Sequence, residues 1–370
     1  MKTRTRAIVL GLLVLGTMIL GVGASAATGL HTSSGRLQLA GQGRSDATRP
    51  TAPLPLGALT LVTGVSPPCP GGFACQAFKV TNCQGVSLSP RGVMASAAPT
   101  VAALGVIVFY SGRTGQEWWS TGTGISGDFL VDLRARGFWT IQVEWLDSWL
   151  VSASGEDAGS AHMACRPATV TQWIHDNIYL PLGLDPGPGQ CGFCITGNSG
   201  GSSQVAYSTS FFGQDRILDA VIPTSGPTHA AEAKGCMRTL GEEHYYYESG
   251  ETMNIDRSSG FETGGPCASH DATHVSRWNA ESVDTGANDL FYPRTRVVII
   301  LGADDCSDAP AHASDYEKQL VASGTPYLDM PVITAMGHKL QDSASGLDSL
   351  RNAILDIPIE DLGAPCYPLP

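Results

Sequence analysis

Two uninterrupted apolar runs constrain this chain most, Val106-Ile107-Val108-Phe109-Tyr110 and Val297-Val298-Ile299-Ile300-Leu301. Side chains alternate between the two faces of a strand, so a strand with no polar position must be covered on both. The cover is legible between the runs. Residues 125–136 place Phe129, Leu130 and Leu133 on one side and end in Arg134, Arg136 and Gly137, a basic last turn followed by a helix stop. Phe138 to Trp145 reads as the next strand, and residues 167–180 as an amphipathic helix with Val170, Trp173, Ile174 and Ile178 at helical spacing. The alternation goes on with a strand at Cys194-Ile195-Thr196, a helix over 202–212 and a strand over 218–222. After the run at 297–301 come a helix over 313–323, a weaker strand over 331–335, and a last helix carrying Leu347, Leu350 and Ile354. Residues 57–99, with short β-like pieces among prolines and cysteines, predict an antiparallel opening. This order predicts an α/β fold with a mostly parallel central sheet and helices on both faces.

The ends and the cysteines place the chain. Lys2, Arg4 and Arg6 precede an apolar run from Ala7 to about Val22, then Ala24-Ser25-Ala26. That is the order of a secretory signal peptide over residues 1–26, too short for a membrane anchor. Residues 27–56, rich in Ser, Thr, Gly, Ala and Pro, read as a flexible leader, so the folded domain spans 57–370. A net charge of −12 argues against nucleic acid or an anionic membrane as the main partner. The 10 cysteines, an even number in an exported chain, read as up to five disulfides, which supports a secreted, extracellular protein. Cys191 and Cys194 have redox-motif spacing without a redox context and read as structural.

The chemistry centres on Gly197-Asn198-Ser199-Gly200-Gly201. A serine between glycines, directly after a strand and before a helix, fits a sharp turn that lifts the hydroxyl above the sheet and turns the next N–H toward a reacting carbonyl. Downstream, the run at 297–301 ends in Gly302-Ala303-Asp304-Asp305, and Met336-Gly337-His338 lies between the last strand and the last helix. On these residues the chain from about 104 to 357 resembles the α/β-hydrolase superfamily, in its secreted esterase, lipase and cutinase-like branches. The departures are Ser111 where a histidine is usual and Gly201 beside Gly200. A similar glycine-serine loop occurs in trypsin-like peptidases. That reading fails because only His31, His162 and His175 lie upstream, and His162 leaves no room for a barrel before Ser199.

The resemblance implies a nucleophile–acid–histidine order. Ser199 is the nucleophile, Asp305 the acid with Asp304 as its alternative, and His338 the base in preference to His312. The oxyanion donors are the N–H of Gly200 and, by analogy, the backbone N–H of Arg113 in the loop Ser111-Gly112-Arg113-Thr114-Gly115. Trp118 and Trp119 are placed to wall an acyl site or to pack the core. Residues 226–290 break the alternation and read as a lid-like insertion over the active-site edge. Within it Tyr245-Tyr246-Tyr247 lines a carbohydrate or aromatic ester site, or packs the insertion. Near the site Cys306 is read as pairing with Cys366, which would tie the C-terminus to the acid loop, or else with the insertion through Cys236 or Cys267; Cys236 with Cys267 is the other expected pair. His270 and His274 have helical metal-ligand spacing in the wrong surroundings, and no metal or cofactor is expected. The implied activity is hydrolysis of a small-molecule or polymeric carboxylic ester through an acyl-enzyme. The alternatives are a peptidase or amidase on the same fold, or a non-catalytic secreted binding protein.

Overall fold

The computed structural model describes residues 52–64, 68–121, 124–186, 190–360, 363–366 and 369. The expected signal peptide lies outside them. The chain opens on three strands, β1 (Ala58–Leu61), β2 (Ala74–Thr81) and β3 (Arg91–Ala97), followed by β4 (Gly105–Tyr110), α1 (Gly124–Ala135) and β5 (Phe138–Trp145). Next come α2 (Ser160–Met163), α3 (Cys165–Ile174), β6 (Phe193–Asn198), α4 (Gly200–Phe212) and β7 (Ala220–Thr224). Four helices then intervene, α5 (Glu232–Met237), α6 (Ser249–Ser258), α7 (Val275–Glu281) and α8 (Val283–Gly286). The chain finishes with β8 (Arg296–Val298), β9 (Leu301–Gly302), α9 (Ala309–Ser323), β10 (Leu328–Asp329), β11 (Val332–Ile333) and α10 (Ala344–Leu355).

Nine of the strands form one sheet in the order β1-β2-β3-β5-β4-β6-β7-β8-β10. The first three pair antiparallel, and β3 pairs antiparallel with β5. From β5 to β10 every pairing is parallel. The two-faced cover required by the apolar runs is present. Val106, Val108 and Tyr110 turn into a core with Val170 and Ile174 of α3, Val205 and Ala206 of α4, and Tyr316 and Leu320 of α9. Their neighbours Ile107 and Phe109 turn the other way, onto Phe129, Leu130 and Leu133 of α1 and Leu347, Leu350 and Ile354 of α10. This is the α/β-hydrolase architecture expected from the sequence.

Several boundaries differ for local reasons. The run 297–301 forms two short strands, because Pro223 in β7 and Pro331 before β11 have no N–H to give to its ladder. Their carbonyls still accept from Ile300 and Leu301. The helix expected over 167–180 stops as α-helix at Ile174 and unwinds through a wider turn, 175–179, into a tight one containing Pro181. The leader expected to run to residue 56 is docked at its end. The Leu54 amide donates to the Phe211 carbonyl at 2.8 Å, and Leu54 and Leu56 pack on the core.

Five disulfides join the ten cysteines in sequence pairs 69–75, 83–165, 191–194, 236–267 and 306–366. Both expected pairings are among them. Cys236–Cys267 sits with Tyr247, Ile255 and Trp278 in a separate small core that holds the segment between β7 and β8 together. No helix among the described residues is long and apolar enough to cross a membrane.

Candidate active site

The sheet reverses its winding between β4 and β6, which follow one another in the sheet although β5 stands between them in sequence. Such a reversal leaves a crevice at the carboxyl ends of the two strands. Arg113 follows β4 and Ser199 follows β6, and both border one cavity of about 940 Å³. His338, Ser307 and Asp308 border it from the far end of the sheet, and Thr228, Tyr246, Glu251, Asn254 and Arg257 from the segment between β7 and β8.

Ser199 adopts φ 57° and ψ −124°, a backbone state few non-glycine residues tolerate. Its neighbours make that possible. A Cβ on Gly197 would stand 2.3 Å from the Gly201 carbonyl oxygen, and one on Gly200 would stand 2.1 Å from that of Arg113. The β6–α4 turn is therefore closed onto itself and onto the loop after β4, leaving Ser199 half-buried at the cavity. Asn198 anchors the turn from below. Its buried Oδ1 accepts from Thr224 Oγ1 at 3.2 Å and from the Leu340 amide at 3.1 Å, two residues past His338.

The residues around the expected acid and base are in direct contact. His338 Nδ1 lies 3.0 Å from Asp305 Oδ2. Asp305 is buried and its other oxygen accepts from Ser307 twice, from Oγ at 2.7 Å and from the amide at 3.1 Å. Ser307 Oγ is also 3.2 Å from His338 Nδ1. His338 Nε2 makes no hydrogen bond among the described residues. Burial by itself would push the Asp305 carboxyl up, but the bond and charge of His338 and the two Ser307 donors hold it below the usual carboxylate range. Burial likewise disfavours the His338 imidazolium, yet Asp305, Asp308 and Glu251 together raise its pKa.

Asp304 is exposed and joins the structure through its amide, which donates to the Met336 carbonyl. His312 is fully buried in α9. Its Nδ1 accepts from the Ala231 amide at 3.1 Å and its Nε2 donates to the Tyr245 carbonyl at 3.1 Å. Burial lowers its pKa to about 3, so it is a neutral packing residue away from the cavity. Trp118 and Trp119 are not on the cavity wall. Trp119 is 1% exposed and packs between Phe109 and Phe129, at 4.7 and 5.9 Å. The amides of Arg113 and Gly200 donate no hydrogen bond among the described residues and stay free for a ligand oxygen. Arg113 also has φ 51°.

The tyrosine triplet divides between both expected roles. Tyr245 and Tyr247 are buried around His312, with Tyr247 stacked on its ring at 5.0 Å, whereas Tyr246 borders the cavity. His270 Nδ1 donates to the Cys236 carbonyl at 2.7 Å and His274 lies beside Asp271, so the two rings serve separate local contacts. Sequence reasoning missed Ser307, and it missed His229, whose buried Nε2 donates to Glu251 Oε1 at 2.5 Å behind the cavity wall. Ser307 had a signal in its spacing two residues after the acid. His229 and Glu251 meet only through the fold of the intervening segment.

No protein-family model and no curated protein sequence matches the chain. Solved structures do. Est1E from Butyrivibrio proteoclasticus is 15% identical, over 77% of this chain and 96% of its own, with a TM-score of 0.46. A mutant of the esterase rPPE is 15% identical over 78% of this chain and 85% of its own, with a TM-score of 0.48. The acylaminoacyl peptidase of Pyrococcus horikoshii is 13% identical over 74% of this chain and 39% of its own, with a TM-score of 0.44. By its own strand order, and by the turn from β6 into α4, this chain has the α/β-hydrolase fold.

Proposed function

We propose that the protein is an exported serine hydrolase that cleaves carboxylic esters through an acyl-enzyme on Ser199. The observation that carries the reading is the pairing of His338 with buried Asp305 at 3.0 Å, on the same cavity as a serine held in a strained turn. A serine hydroxyl is a weak nucleophile at neutral pH and needs a base. With Nδ1 engaged by Asp305, His338 presents Nε2 to take the Ser199 proton as Oγ bonds to the ester carbon. The oxyanion that forms is met by the free amides of Gly200 and Arg113, each such donor contributing about 3 kcal/mol in the transition state. The imidazolium then returns the proton to the departing alkoxide. Water repeats the sequence, its proton passing to His338 and its oxygen displacing Ser199, which releases the carboxylic acid. Asp305 fixes the tautomer and stabilises the imidazolium. An alcohol leaves more readily than an amine, so this set of groups is sufficient for an ester. The signal-peptide pattern and the disulfides support export.

Turnover of p-nitrophenyl acetate by the mature protein tests the reading. Ser199→Ala is expected to abolish it with the thermal transition nearly unchanged. A variant that keeps more than about a hundredth of the activity removes Ser199 from the mechanism.

A further inference from the structure

A cavity for a long acyl chain needs an apolar wall, since each methylene gains only from surface it hides from water. This cavity has only a mixed wall, in which polar and apolar surface are nearly balanced and large aliphatic side chains are few. Among the described residues on its wall the apolar side chains are Val151, Met253 and disulfide-bonded Cys306, beside the ring of Tyr246, and Leu, Ile, Phe and Trp are absent from it. Trp119 faces the core instead, and Trp118 is not on the wall. Burying methylenes against Glu251, Asp308 and Arg257 would strip these groups of water without replacing their hydrogen bonds.

The same wall is rich in groups that recognise hydroxyls. Tyr246 is held by its own hydroxyl, which donates to the Thr239 carbonyl, so its ring is fixed at the cavity. Asn254 Nδ2 donates to Glu251 Oε2 at 3.3 Å, and His229 holds the other oxygen of that carboxylate. Across the cleft, Thr114 Oγ1 donates to Gln116 Oε1 at 2.8 Å. A ring that shares a cavity wall with pre-positioned amide and carboxylate groups suits a polyol, whose hydroxyls both donate and accept. The cavity, at about 940 Å³, is also far larger than a short acyl group requires.

Resting on the serine-hydrolase reading above, we propose that the substrate is an ester of a short acid with a hydroxyl-rich alcohol of the saccharide class. The acyl group sits at Ser199 and the alcohol lies along Tyr246, Glu251 and Asn254. This places substrate selection on the segment between β7 and β8.

The test compares kcat/KM for p-nitrophenyl acetate, octanoate and palmitate, and for an acetylated xylo-oligosaccharide, with the fluorophosphonate reactivity of Ser199 measured alongside. Acetate is expected to exceed octanoate by at least tenfold. In Tyr246→Ala and Asn254→Ala, the ratio of kcat/KM for the oligosaccharide to that for p-nitrophenyl acetate is expected to fall about tenfold. A labelled enzyme that prefers octanoate or palmitate overturns the proposal and leaves the serine hydrolase standing. So does a ratio that does not fall in either variant. A folded protein that takes no label overturns both.

Discussion

Asp305→Asn is a change of one atom whose consequence follows from who faces each oxygen. Oδ1 accepts from the Ser307 amide and hydroxyl, while Oδ2 faces His338 Nδ1. An asparagine side chain must put its carbonyl oxygen on the Ser307 side, because an NH2 group there would meet the Ser307 amide donor. Its NH2 group then faces His338. Nδ1 becomes the acceptor, the ring proton moves to Nε2, and the nitrogen meant to take the Ser199 proton already carries one. A base locked in the wrong tautomer costs about 10³- to 10⁴-fold, which is about 4 to 5 kcal/mol in the transition state. Exposed Asp304 is the internal control, and Asp304→Asn is expected within about twofold of the parent. The assay is kcat/KM for p-nitrophenyl acetate, with thermal melting to show both variants folded. If Asp305→Asn keeps more than about a tenth of the parent value, or if Asp304→Asn is the slower enzyme, the tautomer argument is wrong.

Other outcomes follow from single environments. Because Asp305, Asp308 and Glu251 outweigh burial at His338, the base loses its free nitrogen at a pH above the ordinary 6.5. The acid limb of kcat/KM should lie above that value, and a limb centred below it contradicts the assignment. Trp119→Ala should cost about 3–5 kcal/mol of stability while leaving KM unchanged, because the ring packs the core. A raised KM with little change in melting would put the ring at the site after all. Burial, reinforced by the charge of Glu281, pushes Glu232 up to about 8 from an ordinary 4.5. The unfolded chain ionises there first, so folding stability falls as pH rises from 4.5 toward 8, by at most about 5 kcal/mol. Glu232→Gln cannot ionise, so its melting temperature should gain on the parent between pH 5 and pH 9. A difference independent of pH would sink that reading.

Much of the fold was legible because burial on two faces leaves a mark in a short window. Val106 to Tyr110 splits its side chains between two helical layers, and the sequence shows that as an unbroken apolar run. The strained turn was legible for a similar reason, since Gly197 and Gly200 stand where a Cβ would strike backbone. The placement of His338 beside Asp305 followed from element order. What the sequence left open depends on distant partners. Whether Trp119 faces a cavity or a core is decided by Phe109 and Phe129, not by its neighbours in the chain. The break between β8 and β9 comes from prolines on neighbouring segments, Pro223 and Pro331. His229 meeting Glu251, and the division of Tyr245, Tyr246 and Tyr247 between packing and cavity, arise within a segment of irregular pattern that carries no periodicity to read.

The central claim is that Ser199 is an activated nucleophile whose base is His338. Reaction of the folded, disulfide-bonded protein with a fluorophosphonate, followed by intact mass and peptide mapping, tests it most directly, because an ordinary serine does not react. A single adduct is expected on the peptide containing Ser199, lost in Ser199→Ala and slowed by orders of magnitude in His338→Ala. A folded protein that takes no label, or one labelled elsewhere, would contradict it.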